Sequence, residues 1–599
     1  MKKIAFYLLL TVTTLEVFSQ SDNRLKGIEK DLERILEVTH APGFAVAIIE
    51  GDKTIYAEGF GSSNLENKTR MDENTLLPIA SVTKAFTCGL LGQLRDEGKL
   101  SFNDSPIKYV KELRFYNNEL NNGVNIRDLM CHQTGIPRHG YSSILFPTYN
   151  KDSLIQRIQY MEPFTGLRQQ WYYNNFMYLV QGVLAERVTE ISWEENIQER
   201  LFKPLGMVRS SLSVKELNQS INKAVGYQTD NDGLARKMDY DMGIISPAGG
   251  VNSSVVELAN WLKVWMNNGK FNGVQILPER FVYEAMSSQS IISPSLPDSE
   301  RPDMFFLNYG YGWMISSYRG HYRVFHGGNL DGFTSNVAFF PSDNIGIIVL
   351  TNQSNSSLPD LVRNTIADRL LNEKKIDWIG DYIKEKNLLK LAMEESEKHS
   401  SSFGVKHTTP THKLELYQGN YFNPSAGRFN ITAKGDSLFA NFKFKRFYLK
   451  HVHYDVFQPI EITKYGIDST NLRPLKFLFT TNELGEVASV KMKFEEALDH
   501  PIEFIHEPYN LDLGLEILNR YVGEYDISGT IINIFIKNDH LYMSIPNQPE
   551  YQLLASEKNL FIISELEGYK VKFSIKNEKN MMELILIQAN ESLKTKKLK

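Results

Sequence analysis

The stretch 78-PIASVTKAFT-87 places Ser81 three residues before Lys84, at the start of an unusually apolar segment. Residues 80–94, ASVTKAFTCGLLGQL, contain no charged side chain other than Lys84, which predicts a helix buried in a protein interior. Residues three apart share a helix face, so Lys84 is expected beside Ser81. Burial disfavours the charged form of a lysine, and a neutral amine can accept a proton.

The S-x-x-K pattern alone is not specific, because it recurs at Ser105–Lys108 and Ser220–Lys223. Ser105 lies in the turn-like sequence NDSP and Ser220 in the polar sequence NQSINK, so neither lysine is expected in an interior. Two interpretations remain open for Ser81. It is either an N-cap that accepts from a backbone N–H, or a nucleophile with a lysine base at a helix N-terminus that favours negative charge.

A second stretch, 171-WYYNNFMYLVQGVL-184, supplies candidate partners for a serine–lysine pair. It contains the pattern Y-x-N twice, as Tyr172–Asn174 and as Tyr173–Asn175. A tyrosine can transfer protons, and an asparagine can hold a substrate amide. The alternative is ordinary aromatic packing at a helix start.

A third stretch, 322-YRVFHGGNLDGF-333, predicts a strand that ends in His326 and is followed by Gly327 and Gly328. Two glycines allow another molecule to approach the backbone closely, as at a substrate-binding strand edge. The N–H groups of Asn329 and Ser81 would then be available to an oxyanion. The alternative is an ordinary turn.

Taken together and in this order, the three stretches resemble the serine β-lactamase and penicillin-binding protein superfamily. The resemblance is narrower to its class C-type branch, which includes D,D-peptidases, D-aminopeptidases and esterases, and it covers about residues 25–370. The phrases DEGKLSFNDSPIKYV, IRDLMCHQTGIP, LFKPLGM, SPAGGVNSS and GIIVLTN follow in the same order. The family places a further tyrosine three residues after the asparagine, here Tyr178, so the resemblance assigns the roles to Tyr173 and Asn175.

The resemblance implies acyl transfer to Ser81, with Lys84 and Tyr173 sharing the acid and base roles. It also implies a group of substrate-binding and oxyanion residues: Asn175, His326, Gly327, Gly328 and Asn329. No metal and no cofactor are expected.

One position departs from the β-lactamase pattern. True β-lactamases usually have a lysine where this chain has His326, and a histidine is mostly neutral near pH 7. The expectation is therefore a peptidase or esterase acting on D-amino-acid-containing peptides or small esters. The alternatives are a β-lactamase, or a non-hydrolytic penicillin-binding or ligand-binding protein that uses its C-terminal β modules.

The expected fold of residues 25–372 is an α/β (α+β) serine β-lactamase-like domain. An antiparallel sheet is flanked by helices and accompanied by a helical subdomain. The sequence predicts a hairpin over 44–61 and three strands within 322–352, and a sheet that joins both ends of the domain. Residues 373–412 are expected to be a linker with a charged helix.

The C-terminal part of the chain repeats itself. The motif Tyr417-x-Gly419-x-Tyr421 recurs 104 residues later as Tyr521-x-Gly523-x-Tyr525. FNITAKGDSLFANF (429–442) similarly matches INIFIKNDHLYMSI (532–545), and Phe479 with its following turn resembles Phe573 with its own. The repeat predicts two small antiparallel, barrel-like β modules at 413–510 and 511–597.

The composition and termini restrict the partners. A net charge of -5 among 599 residues gives no reason to expect nucleic acid. Two lysines followed by an apolar run predict a cleaved signal peptide at 1–19, hence a periplasmic or secreted protein without a transmembrane anchor. The expected partner is a small-molecule, peptide or ester substrate. Cys88 and Cys131 are expected to be buried side chains more often than a disulfide.

Overall fold

The computed structural model describes residues 22–598, apart from 149, 230–232, 234, 239–244, 294–295, 298–302, 304, 401–404, 406, 464–465, 468–474, 484, 508–512, 528, 547, 564–565, 567–568, 577–580 and 589–590. The signal peptide predicted at 1–19 lies outside these residues. The chain divides into two compact units. The first comprises the residues up to 110 with 124–133 and 177–392, and the second comprises 111–123, 134–176 and the residues from 393 onward.

The first unit is organised around an antiparallel sheet that has nine strands in the described part of the chain. Its strands are β1 Gly43–Glu50, β2 Lys53–Asn64, β3 Thr69–Arg70, β4 Ser290–Ser293, β5 Leu307–Tyr309, β6 Met314–Tyr318, β7 His321–Leu330, β8 Phe333–Phe340 and β9 Ile345–Thr351. They are ordered β4-β5-β6-β7-β8-β9-β1-β2-β3. The pairing of β9 with β1 joins the two ends of the domain, so the predicted sheet closure is confirmed, as are the N-terminal hairpin and the three later strands.

Helices surround this sheet. They span Ile28–Thr39, Thr83–Asp96, Ile126–Met130, Trp193–Ile197, Val214–Gln219, Ser246–Gly249, Val255–Met266, Glu279–Ala285 and Leu358–Leu370. Two further helices belong to this unit in part, Asn175–Thr189 from Met177 onward and Trp378–Ser400 as far as Ala392. The helix Ile28–Thr39 buries Ile28, Leu32 and Ile35, which follow helical spacing, against alternate residues of β1. This packing covers one face of the sheet.

The second unit contains the helices Asn118–Gly123, Gly140–Ile144, Lys151–Arg157 and Gly514–Leu518. The strands of the first β module are Gly419–Asn423, Gly427–Lys434, Ser437–Asn441, Arg446–His453, Val456–Thr463, Gly466–Ile467, Phe477–Thr481, Val487–Met492 and Ile502–Glu507. Pairing of the strands Arg446–His453 and Val456–Thr463 closes this antiparallel sheet on itself. The first of the barrel-like modules predicted from the sequence is thereby confirmed.

The second β module is also built on an antiparallel sheet. Its strands are Gly523–Ile527, Thr530–Lys537, His540–Ser544, Tyr551–Glu557, Leu560–Ile563, Lys570–Lys576, Met581–Gln588, Glu591–Lys594 and Lys596–Lys597. The hydroxyl of Tyr525 donates to the carbonyl of Tyr521 at 2.8 Å, as the hydroxyl of Tyr421 donates to the carbonyl of Tyr417 at 2.8 Å. The repeated Y-x-G-x-Y motif therefore makes the same hydrogen bond in each module, which satisfies the hydroxyl of a buried tyrosine.

Residues 134–176 contribute aromatic side chains to the core of the first β module. Tyr141 stacks on Phe494 with ring centroids 4.6 Å apart, and Phe146 stacks on Phe504 at 5.6 Å. The hydroxyl of Ser142 also donates to the carbonyl of Ser425 at 2.6 Å. The segment that carries the tyrosine–asparagine motif is therefore built into the second unit together with the β module.

Two further features bear on the expectations from sequence. Cys88 and Cys131 are both buried and free, as expected for small interior side chains. Within the described ranges, no helix has the length and apolar character needed to cross a membrane.

Candidate active site

Ser81 and Lys84 lie together at the start of the buried helix Thr83–Asp96, as the sequence predicts. The Nζ of Lys84 is 3.1 Å from the Oγ of Ser81, and Lys84 is fully buried whereas Ser81 is half-buried. A short 3-10 turn, Ala80–Val82, precedes the helix, and no side-chain cap hydrogen bond closes the helix start. The N-cap interpretation of Ser81 is therefore not the observed geometry, and its hydroxyl instead meets the lysine amine.

The Lys84 amine also donates to a backbone carbonyl. The Nζ of Lys84 donates to the carbonyl of Ala248 at 2.8 Å. Ala248 belongs to the one-turn helix Ser246–Gly249, which also accepts from Thr87 Oγ1 through Pro247 at 2.7 Å. The phrase SPAGGVNSS was noted in the sequence only as a family feature. Its contact with the lysine is not visible there, because 164 residues separate the two groups.

The turn that presents Ser81 is held by contacts on both sides. Ala80 has a φ of 48°, a left-handed conformation that is unfavourable for a residue with a Cβ. The N–H of Ile79 donates to the carbonyl of Val251 at 3.0 Å, and the buried Ser335 hydroxyl donates to the carbonyl of Ile79 at 2.8 Å. These bonds hold a strained backbone immediately before the serine.

Strand β7 passes beside this turn. The pairing of β6 with β7 ends at Met314–Phe325, whereas β8 continues to pair with β7 as far as Leu330. In the described chain, the Gly327–Leu330 stretch is thus paired on one side only. Asn329 at this local edge is exposed, and its Oδ1 lies 3.0 Å from Thr334 Oγ1.

The two glycines of this strand have different surroundings. A Cβ on Gly328 would lie 2.3 Å from the carbonyl oxygen of Ile79, whereas a Cβ on Gly327 would meet nothing closer than 3.7 Å. Gly328 is therefore required because the strand packs directly on the serine turn. The sequence predicted a close approach by a substrate, and at this glycine the close approach is made by the chain itself.

The ring of His326 is turned into the interior. His326 is 1% exposed, with Nδ1 2.6 Å from the carbonyl of Gly327 and Nε2 3.1 Å from the hydroxyl of Tyr309. A carbonyl only accepts, so Nδ1 carries the proton and Nε2 accepts from the tyrosine. Burial, aided by the positive charge of Lys84, lowers the pKa of His326 to about 3. The ring is consequently neutral at physiological pH.

The family-marker tyrosine, Tyr178, is a structural residue. Its hydroxyl donates to the carbonyl of Met130 at 2.8 Å and lies 3.5 Å from the thiol of Cys88. Burial raises the pKa of Tyr178 well above its usual value. The Lys84 Nζ lies 5.1 Å from the centroid of the Tyr178 ring, so this ring helps to bury the lysine amine.

Tyr173 and Asn175 belong to the second unit. Their surroundings there differ from those of the overlapping pair, Tyr172 and Asn174. Asn174 is buried: its Nδ2 donates to the carbonyls of Pro137 and Ile136 at 2.7 and 3.3 Å, and its Oδ1 accepts from the N–H of Phe176. By contrast, the Oδ1 of Asn175 has no hydrogen-bond partner within the described residues.

The two tyrosines of the overlapping patterns also differ. Tyr172 packs against Phe164 with ring centroids 4.9 Å apart, and burial raises its pKa. Tyr173 is half-buried and has the Arg138 guanidinium over its ring at 5.4 Å. In the part of the chain that the structure describes, no group of three or more His, Cys, Asp or Glu side chains could hold a metal ion.

Comparison with known proteins identifies two regions. A family model described as Beta-lactamase matches residues 28–371, more than half of the chain. A second model, described as a domain of unknown function (DUF3471), matches residues 404–505, which include the first β module.

Individual proteins are more distantly similar. "Protein flp" of Staphylococcus aureus (strain N315) is 25% identical over 361 residues, which cover 60% of this chain and 69% of that protein. "Unguisins hydrolase ungD'" of Aspergillus campestris is 24% identical over 437 residues, covering 69% of this chain and 80% of that protein. The solved structure of an octameric penicillin-binding protein homologue from Pyrococcus abyssi is 21% identical, covers 80% of this chain and 99% of its own, and has a TM-score of 0.54.

Proposed function

Because the chain belongs to the beta-lactamase family of serine hydrolases, we propose that it cleaves an amide or ester through an acyl-enzyme on Ser81. One observation carries this proposal: the Lys84 amine lies 3.1 Å from the Ser81 hydroxyl in a fully buried environment. The lysines of the other two S-x-x-K patterns are not buried. Lys108 is exposed and pairs with Asp104, and Lys223 is partly exposed and donates to the carbonyl of Asn218.

In the proposed reaction, Ser81 Oγ attacks the substrate carbonyl and its proton passes to the basic partners. Lys84 is proposed as one partner because it contacts the serine. Tyr173 is proposed as the other because it matches the family motif. The N–H groups of Ser81 and Asn329 are proposed to stabilise the oxyanion. Collapse of the tetrahedral intermediate expels the amine or alcohol, and water then hydrolyses the acyl-enzyme.

The proposed roles of the remaining residues follow from their surroundings. Asn175 is the substrate-positioning residue, since its Oδ1 is left without a partner in the described structure while Asn174 is used to hold the loop. Gly327 and Gly328 give the strand edge its shape, with His326 beneath it as a neutral support. The side chain of His326 is too buried to present a positive charge to a β-lactam carboxylate.

The proposed substrates are therefore D-amino-acid-containing peptides or small esters rather than β-lactams. A relative named as a hydrolase of unguisins is consistent with a hydrolytic role. We further propose that residues 1–19 direct export and that 25–372 form the catalytic domain. Residues 373–412 would then link it to β modules at 413–510 and 511–597.

The experiment that tests this function is active-site labelling. The purified protein is treated with a fluorescent fluorophosphonate and, separately, with a fluorescent penicillin, beside Ser81→Ala. The matched control is Ser220→Ala, which removes another serine of an S-x-x-K pattern. We expect fluorophosphonate labelling of the wild type and of Ser220→Ala and none of Ser81→Ala. Equal labelling of Ser81→Ala would refute the assignment, and rapid penicillin turnover would instead favour a β-lactamase.

A further inference from the structure

Two hairpins fix the directions in which the backbone groups of β7 point. Arg319 and Gly320, with φ of 53° and 86°, form the two-residue turn between β6 and β7, so Tyr318 and His321 flank it. The residues that flank such a turn are hydrogen-bonded to each other, and every second residue of an antiparallel strand faces the same neighbour. The odd-numbered residues of β7 therefore direct their N–H and C=O groups towards β6.

The hairpin on the other side of β7 gives the same assignment. Leu330 and Phe333 flank the two-residue turn between β7 and β8, so the even-numbered residues of β7 face β8. The pairing of β7 with β6 ends at Phe325. Within the described residues, the N–H and C=O groups of Gly327 and Asn329 thus lie on an edge that no strand covers.

One acceptor on this edge is already in use. The Nδ1–H of His326 donates to the carbonyl of Gly327 at 2.6 Å, and Nε2 accepts from the hydroxyl of Tyr309 at 3.1 Å. The ring is 1% exposed, so these two bonds hold it in the interior beside the edge. A carbonyl oxygen that already accepts a short bond attracts a second donor less strongly. The carbonyl of Gly327 is therefore a weak acceptor for a substrate.

This occupied carbonyl has a defined place relative to the scissile bond. In the proposed reaction, the N–H of Asn329 donates to the scissile carbonyl. A substrate residue that pairs with Asn329 as in an antiparallel ladder exchanges both hydrogen bonds with it, and the residue two positions later in the substrate then faces Gly327. In a peptide, that residue is the second one of the leaving group. Its N–H points at the carbonyl that His326 occupies, whereas its C=O can still accept from the N–H of Gly327.

We propose that His326 is a positioning residue that sets leaving-group specificity by capping the carbonyl of Gly327. The inference rests on the proposed function, because it takes Asn329 to be an oxyanion donor. It names the substrate class more closely: the leaving group is a single residue, or a small amine or alcohol, and gains nothing from a second amide N–H. The buried imidazole acts through the strand and needs no contact with the substrate.

The test compares two substrates that differ in one atom group. They are the N-methylamide and the methyl ester of N-acetyl-D-alanyl-D-lactic acid, which share the same scissile ester and carry N–H or O at the position that faces Gly327. Release of N-acetyl-D-alanine gives kcat/KM for each compound. The ratio of the two values, amide over ester, is divided by the ratio of their rates of hydrolysis by hydroxide, which removes their difference in intrinsic reactivity.

Three variants separate the cap from the packing around it. His326→Leu combined with Tyr309→Phe removes the donor to Gly327 together with the hydroxyl that would otherwise be left without its partner. His326→Asn places an amide donor near the position of Nδ1 and so keeps a cap. Tyr309→Phe alone leaves Nδ1–H on the carbonyl and controls for the second substitution. The melting temperature of each variant is measured.

We expect a normalised ratio near one in the wild type, in His326→Asn and in Tyr309→Phe. In the double variant it should rise about twofold to tenfold, which is the effect of one added hydrogen bond to the freed carbonyl. An unchanged ratio in a folded double variant, or an equal rise in Tyr309→Phe, would overturn the inference. A wild-type ratio of about ten would also overturn it, whether or not the variants fold, because the carbonyl would then already accept from the substrate.

Failure of this inference can be told apart from failure of the proposed function. A wild type that a fluorophosphonate labels at Ser81, but that cleaves neither compound, would overturn the leaving-group assignment alone. Cleavage that persists in Ser81→Ala, or a wild type with neither cleavage nor labelling at Ser81, would overturn the proposed function and this inference with it.

Discussion

A single methyl group added at Gly328 should displace the turn that carries Ser81 and so lower the rate of the proposed reaction. The new Cβ would lie 2.3 Å from the carbonyl oxygen of Ile79 and 2.4 Å from the Oγ of Ser335. Real Cβ atoms essentially never come closer than 3.0 Å to such neighbours, so the backbone at Ile79 must retreat by about 0.7 Å. The hydroxyl of Ser335 can rotate away. The carbonyl of Ile79 cannot, because it belongs to the turn that leads through Ala80 into Ser81.

The size of the effect follows from this displacement. A shift of about 1 Å in a reacting group costs about 10²-fold in rate, and overpacking a filled interior costs about 1–3 kcal/mol of stability. We therefore expect Gly328→Ala to lose about two orders of magnitude in kcat for a 4-nitrophenyl ester, with a lower melting temperature. The rate of Ser81→Ala is subtracted as the background.

The neighbouring glycine provides the control. A Cβ on Gly327 meets only the carbonyl of Ser335, at an ordinary 3.7 Å, so Gly327→Ala should retain the wild-type melting temperature. If Gly328→Ala turned over ester as fast as the wild type, the strand would not brace the serine turn. An equal loss of melting temperature in both variants would also refute the reasoning, because the packing of Gly328 on the turn would not be the cause.

Four further outcomes are expected. Ser335→Ala, which removes the hydrogen bond to the carbonyl of Ile79, should lower the unfolding free energy by about 1 kcal/mol in denaturant titrations, and no change would argue against that bond. Asn174→Ala should lower the melting temperature, because two loop carbonyls lose their donor. Asn175→Ala should instead lower kcat/KM at a nearly unchanged melting temperature. The reverse pattern would exchange the roles of the two asparagines. His326 is neutral in the folded protein, so the unfolded state binds its proton more tightly. The free energy of unfolding should therefore fall as the pH drops from about 6.5 towards about 3, by up to about 1.4 kcal/mol per pH unit. This slope should diminish in His326→Asn. His326→Lys should destabilise the fold and should not create efficient β-lactam hydrolysis, since the ammonium would be buried; a gain in nitrocefin turnover would contradict this.

The parts of the structure that could be predicted from the sequence rest on short-range patterns. Ser81 and Lys84 lie on one helix face because three residues separate them, and the apolar run around them predicted the burial that the structure shows. The two β modules were visible because Tyr417–Tyr421 and Tyr521–Tyr525 repeat both their spacing and, in the structure, their hydrogen bonds. Periodicity and repetition are local signals, and they survive without knowledge of the tertiary fold.

What could not be predicted depends on contacts between distant segments. Nothing in the sequence around Ala248 indicates that its carbonyl will receive the lysine amine. The sequence indicates that His326 is mostly neutral near pH 7, but only its packing against Tyr309 reveals that the ring is buried. No local pattern around Phe146 indicates that it stacks on Phe504 and so places the segment 134–176 with the first β module.

The most direct test of the central claim is to find the residue that becomes acylated. The wild-type protein is reacted with a fluorophosphonate and digested, and the modified peptide is sequenced by tandem mass spectrometry. The account predicts a single adduct on Ser81, formed at a rate that Lys84→Met reduces by several orders of magnitude and that Lys223→Met leaves unchanged. An adduct on another serine, or labelling of Ser81 that does not depend on Lys84, would contradict it.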